Sequence, residues 1–252
     1  MIKRISIFAY GVISYAVFFA TFLYALGFVG NFAVPRTLDG ALAMDFTTAL
    51  LIDLGLLGLF AIQHSVMARP AFKRWFTRLV PESAERSTYV LLSSLALIAM
   101  FAWWQPLGGE VWNVTSPLRE MLWGGFAFGW LLVLFSTFLI NHFDLFGLRQ
   151  IWLQLMGKPY TQLEFRTPGL YSYVRHPLYV GWFFAFWCTP TMTISHLVFA
   201  IATTGYILIA IQFEERDLVA HFGKTYSKYQ ESVPMMVPFT RKRKAKSTYL
   251  YD

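Results

Sequence analysis

Two short runs near the C-terminus carry residue types that can hold a charged ligand. Arg175-His176-Pro177 stands at the head of a long apolar stretch, and Phe213-Glu214-Glu215-Arg216-Asp217 stands at its foot. Proline lacks a backbone N–H and fixes φ, so it suits the first residue of a helix. A helix opening at Pro177 presents unpaired amides beside an arginine and a histidine, an arrangement that suits a carboxylate or phosphate. The plainer alternative is an ordinary helix start with an interfacial arginine. The acidic pair can hydrogen-bond a ribose or hold a cation; its plainer alternative is a solvated helix exit. Tyr171, Tyr173, Tyr179, Trp182 and Phe183 wall the same stretch, and aromatic faces attract cations. A ligand that combines a carboxylate, a ribose and a cationic centre suits such a pocket.

A second group of residues can move protons. Gln63-His64-Ser65 closes one apolar stretch and Asn141-His142-Phe143-Asp144 closes another. A carboxylate that orients an imidazole raises its basicity, so Asp144 is a partner for either histidine. Asp53 falls inside an apolar stretch, where an ionisable group is costly; it reads equally as a functional group or as a helix–helix hydrogen bond. His196 and His221 read as structural. The single cysteine, Cys188, excludes an internal disulfide. No paired His or Cys spacing suggests a metal or haem.

The elements that must position these groups are membrane helices. The chain has 252 residues, of which 56% are hydrophobic, 19% aromatic and 14% charged. A soluble domain carries about 25% charge, so hydrocarbon is the implied solvent. Four apolar stretches, roughly 6–30, 46–67, 87–104 and 121–140, are long enough to cross a bilayer. A fifth uncharged run from Pro177 to Phe213 is too long for one crossing and is interrupted by Thr189-Pro190-Thr191-Met192-Thr193. Proline breaks the helical ladder there, and the threonines satisfy freed backbone groups. The run therefore reads as a hairpin, 178–189 and 194–213, with a short first arm. The expected fold is all-α: a polytopic transmembrane helical bundle of four spans plus a C-terminal helical hairpin. It forms one domain, with a four-span bundle over 1–141, a ligand-binding core over 142–239 and a basic tail over 240–252.

The formal net charge is +7, but the basic residues lie in short blocks between apolar runs, which argues against nucleic acid. The N-terminus, the 68–86 loop, the 142–176 segment and the tail hold 19 of the 21 Lys and Arg; Arg36 and Arg119 are the other two. By the positive-inside rule the former segments, with both termini, are cytoplasmic. The uncharged N-terminal stretch from Ile5 is too long for a signal peptide and reads as a retained first span. Arg241-Lys242-Arg243-Lys244 reads as a tail near anionic headgroups. Asn113-Val114-Thr115 matches a glycosylation sequon, a weak signal.

The combination Arg175-His176-Pro177-x-Tyr179-x-Gly181, then Glu214-Glu215-x-x-Leu218-x-x-x-Phe222-Gly223-x-x-Tyr226-x-x-Tyr229-x-x-x-Val233-Pro234, resembles the C-terminal core of isoprenylcysteine carboxyl methyltransferases and phospholipid methyltransferases. The resemblance implies that Arg175, His176, Pro177, Tyr179, Glu214 and Glu215 bind S-adenosylmethionine. Gln63-His64-Ser65-x-Met67-Ala68-Arg69-Pro70, Glu85-Arg86-Ser87-Thr88-Tyr89 and Asn141 to Gln150 are similar to a bacterial branch that methylates methanethiol to dimethyl sulfide. With these, the resemblance covers most of the chain and implies an enzyme of the bacterial inner membrane acting on a small thiol. The prenylcysteine enzymes carry an arginine shortly before the acidic pair; Gln212-Phe213 stand there in this chain, which favours a small neutral substrate. The implied reaction is in-line attack of a thiolate on a sulfonium methyl. A simple thiol is mostly protonated at neutral pH, so a base is required: His64 or His142, assisted by Asp144. The sequence leaves that choice open. Rival readings are a methyltransferase for a prenylcysteine or lipid amine, a sterol-reductase-like membrane oxidoreductase, and a non-catalytic membrane accessory protein.

Overall fold

In a computed structural model, which describes residues 1–240, the chain is an all-α polytopic bundle. The run Arg241-Lys242-Arg243-Lys244 lies outside the described residues. Among the described residues, five helices are long and apolar enough to cross a membrane: α1 (Ile2–Gly30), α2 (Phe46–Ala68), α4 (Glu82–Trp103), α5 (Leu118–Ile140) and α9 (Ile194–Phe222). Their outward side chains are apolar and uncovered, as at Ile62, Leu131 and Ile209. Lipid is the natural cover for such a belt, and the protein is an integral membrane protein. Shorter helices fill the connections: α3 (Pro70–Phe76), α6 (His142–Leu145), α7 (Leu148–Leu155) and α10 (Lys224–Ser232).

The hairpin is present, with its arms α8 (Pro177–Trp187) and α9. Eleven residues rise about 17 Å, so α8 reaches only part of the way through a bilayer. The second arm runs nine residues past the expected Phe213. Glu214, Glu215 and Asp217 all find partners while helical, so the charges extend the helix where hydropathy alone would end it. The turn between the arms holds a strand absent from the sequence reading. β2 (Thr191–Thr193) pairs antiparallel with β1 (Glu110–Asn113). Pro190 accepts from the Val114 amide at 2.9 Å, and the Thr189 carbonyl accepts from the Trp112 indole at 3.2 Å.

Helix α8 packs most extensively on α5. The two cross at glycines: a Cβ on Gly129 would lie 2.4 Å from the Ala185 amide nitrogen and 2.7 Å from the Gly181 carbonyl oxygen. Gly125 and Gly129 on α5, and Gly181 and Ala185 on α8, are each four apart, the small-residue spacing that lets membrane helices approach. The apolar core, including Phe28, Leu57, Met100, Trp104, Phe126 and Phe199, joins the end of α1, the first half of α2, the end of α4 and the start of both α5 and α9. It fills the half of the bundle away from α8's start. The polar residues there serve structure. Buried Asp53 accepts the Gln105 amide at 2.9 Å, closing the loop after α4 onto α2. His196, fully buried, binds the Phe186 carbonyl at 2.8 Å, and Asp39 binds Asn31 and Thr193. Asp53 thus bonds a loop amide rather than a facing helix.

Candidate active site

The opposite end of the bundle gathers the polar groups. His176 is the N-cap of α8, Pro177 is its first residue, and no side chain caps it. The amides of the first turn therefore keep their donor capacity. Arg175 and His176 do not stand open beside them. Arg175 Nε donates to Glu215 Oε1 at 2.6 Å, and its Nη1 donates to the carbonyls of Gln230 and Val233 at 3.1 and 2.5 Å. His176 Nε2 lies 3.0 Å from the same Glu215 oxygen, and Gln230 donates to the other at 2.9 Å. The Arg175, His176 and Glu215 side chains are 6%, 5% and 12% exposed. A buried ion pair persists only when its remaining hydrogen bonds are satisfied, and here three donors serve one carboxylate.

This knot explains why such distant stretches combine. The backbone amides of Arg175 and His176 donate to the carbonyls of Pro234 and Met235 at 2.9 and 3.1 Å, and Tyr229 donates to the Tyr171 carbonyl at 2.5 Å. Phe165 packs on Phe222, Tyr226 and Tyr229. Burial, with Glu214 and Tyr229 adding to it, pushes the Tyr171 phenol well above its ordinary range; burial does the same for Tyr229. Both stay protonated.

What the knot leaves open is a second polar group. Tyr179 donates to Glu214 Oε2 at 2.8 Å. The Glu214 charge also acts on Tyr89 of α4, Tyr171 and Tyr206 of α9. Glu214, Tyr179, Tyr89, Tyr206 and His64 are all half-buried, so none of them is sealed in the core. His64 stacks on Phe60, with ring centroids 5.1 Å apart. Its Nε2 and Nδ1 lie 2.8 and 3.0 Å from the Tyr89 hydroxyl, and Nδ1 lies 3.2 Å from Ser93 Oγ. Ser65 meets the Tyr206 hydroxyl at 3.2 Å, and Arg69 pairs with Asp217 at 2.9 Å, fastening the end of α2 to α9.

His142 is held differently. It is 3% exposed, stacked on Phe138 with centroids 4.3 Å apart, and enclosed by Phe146. Its Nδ1 meets Thr137 and its Nε2 meets Tyr15, each at 2.8 Å. Burial pushes its pKa below the ordinary histidine range. Asp144 assists neither histidine: its carboxylate binds Arg149 at 3.0 Å and Tyr160 at 3.3 Å. Asn141, at φ 148°, turns the chain there and caps the Asp144 amide. The structure thus brings His64 to the Glu214 side and keeps His142 and Asp144 in separate pairs. Tyr206 escaped the sequence reading because it sits in an apolar run; its place two turns before Glu214 on α9 is the signal that could have found it. Tyr89 stood in a quoted motif without a role.

A protein of Crocosphaera subtropica named methanethiol S-methyltransferase is 56% identical to this chain over 243 residues, 96% of this chain and 95% of the other. One of Mycobacterium tuberculosis with the same name is 53% identical over 238 residues, 94% and 98% of the two chains. Nurim of Bos taurus is 30% identical over 206 residues, 77% and 78% of the two. No family model matches the chain, and no solved structure matches it. With more than half of its residues identical along nearly the full length of both chains, this protein belongs to the methanethiol S-methyltransferase family.

Proposed function

We propose that this enzyme methylates methanethiol to dimethyl sulfide with S-adenosylmethionine as methyl donor. The observation that carries the reading is the identity, over nearly the whole chain, to proteins named for that activity. The site's chemistry fits the donor. The half-buried Glu214–Tyr179 pair suits a ribose or the electron-poor side of a sulfonium, and the uncapped amides at the start of α8 suit a carboxylate. Glu214, Tyr179 and the α8 start are the groups that would hold it. Arg175, His176, Pro177 and Glu215 act from behind by fixing where α8 begins. When bound, S-adenosylmethionine supplies a methyl group made electrophilic by its sulfonium.

The chain's own tasks are to orient the thiol in line with that methyl, exclude water and take the thiol's proton. The thiolate is the nucleophile, and an alkyl thiol is mostly protonated at neutral pH. Of the two histidines, exposure favours His64 as acceptor: it is half-buried near the end of α2 that Ser65 and Arg69 fasten to α9, the helix of Glu214, whereas His142 is sealed among aromatics. A dry site favours the reaction, because opposite charges annihilate as it proceeds. The segregation of Lys and Arg supports a cytoplasmic location for both termini and for the site.

The test is a substrate comparison with purified protein in detergent. Methanethiol, a prenylcysteine and phosphatidylethanolamine are each supplied with S-adenosylmethionine. Dimethyl sulfide in the headspace, with no methylated lipid or prenylcysteine, is the expected result. Turnover of the long-chain substrates alone would replace this reading with the lipid or prenyl one.

A further inference from the structure

We propose that Tyr89 is a catalytic residue: its hydroxyl meets the substrate thiol and relays the thiol proton to His64. The inference rests on the methyl-transfer reading above and concerns how its nucleophile is made. Both nitrogens of His64 already face hydroxyls, Tyr89 at 2.8 Å from Nε2 and Ser93 at 3.2 Å from Nδ1. One face of the ring lies on Phe60. A thiol therefore reaches the imidazole through one of those two hydroxyls. Ser93 is 7% exposed and closed in, whereas Tyr89 is only half-buried. The route through Tyr89 is the open one.

The Tyr89 hydroxyl lies 3.0 Å from Nδ1 and 2.8 Å from Nε2; the relay uses the tautomer in which Nδ1–H donates to Ser93 Oγ and Nε2 accepts from the Tyr89 hydroxyl. In the step, the S–H bond breaks and its proton bonds to Tyr89 Oη. At the same time the phenolic proton passes to His64 Nε2. Sulfur keeps the electron pair, which forms the new S–C bond, and the C–S⁺ bond of the donor breaks with its pair returning to the donor sulfur. The products are the thioether, the demethylated donor and a His64 imidazolium, which returns its proton to water after release.

The charges around Tyr89 suit this task. On its own helix Arg86 lies 6.0 Å from the ring centroid. From α2 and its C-cap it faces His64 and Arg69; from α9, Glu214 and Tyr206; from α8, Tyr179. The two arginines favour electron density on the phenol oxygen during transfer, and Glu214 favours the proton's approach. His142 meets Tyr15 at the same 2.8 Å but is sealed, so the equivalent pair there has no path to substrate.

The test measures kcat/KM for methanethiol from about pH 7 to pH 9.5, towards the ordinary thiol range, for wild type, Tyr89→Phe and His64→Gln, with S-adenosylhomocysteine affinity as the check on folding. The relay gives a loss of about 100-fold for each variant at the low end, shrinking as the free thiol ionises and needs no acceptor. The double variant should lose no more than either single one. A loss that is the same at every pH would overturn the relay while leaving methyl transfer intact. Should Tyr89→Phe fail to bind S-adenosylhomocysteine, wild-type rates in mixtures of light and heavy water decide: two protons in flight give a curved dependence, and a straight line overturns the relay. No product from wild type overturns the function and the relay together.

Discussion

The crossing of α5 and α8 couples the fold to the site, and one methyl group tests it. In Gly129→Ala the new Cβ would fall 2.4 Å from the Ala185 nitrogen, 2.7 Å from the Gly181 oxygen and 2.8 Å from Phe184 Cβ. Two of these atoms are backbone, so no rotamer relieves them, and ordinary contact starts at 3.4 Å. Helix α8 must withdraw by about 1 Å. Overpacking of this kind costs about 1–3 kcal/mol. The start of α8 carries Tyr179 and the amides assigned to the donor, so the shift reaches the site; a displacement of about 1 Å there can cost on the order of 100-fold in rate. The control is Gly124→Ala on the same helix, where a Cβ meets nothing within 4 Å. Thermal unfolding in detergent and kcat/KM for methyl transfer are measured for both. The expected result is a lower midpoint and a rate loss of at least tenfold for Gly129→Ala, with Gly124→Ala unchanged. A Gly129→Ala protein with wild-type stability and rate would refute the claim that this crossing sets the position of α8.

Three further outcomes follow from the same geometry. Glu215→Ala strands the buried Arg175 charge, which should cost about 3–5 kcal/mol; Arg175→Met with Glu215→Leu should recover part of it in thermal unfolding, since neither charge is then left alone. Tyr179→Phe removes the hydrogen bond to Glu214 and should weaken S-adenosylhomocysteine by at least about tenfold by calorimetry, as a charged acceptor's bond is worth about 1.5–3 kcal/mol. His142, with its pKa lowered from 6.5 by burial, contributes stability that is complete above the unfolded value and declines as pH falls below it. Wild-type stability should therefore drop from pH 7 to about pH 5, and His142→Gln should flatten that dependence in the same unfolding assay.

Much of this arrangement was legible in the chain. Apolar run length placed α1, α2, α4 and α5 to within five residues at each end and the start of α9, whose end lies nine residues beyond the expected one, and Pro190 with its threonines marked the hairpin turn. Pro177 marked the first residue of α8. The direction of Arg175 was not legible. From spacing it reads as an arm for a ligand, but the chain brings Glu215, Gln230 and Val233 around it from 40 to 58 residues away, and a buried guanidinium goes to the donors' nearest acceptors. The direction of Asp144 was not legible either: the sequence left it open to either histidine, while the turn at Asn141 aims it at Arg149 five residues on. The β1–β2 pair escaped notice because three- and four-residue strands leave too short an alternation to read.

The central claim is that a methyl group passes from S-adenosylmethionine to the sulfur of methanethiol at this site. The most direct measurement supplies donor labelled as trideuteromethyl, with methanethiol, and reads the headspace by mass spectrometry for wild type and Glu214→Ala. Dimethyl sulfide carrying three deuteriums from wild type, with little or none from Glu214→Ala of normal stability, is the expected result. Unlabelled product, or no product from folded wild type, would contradict it.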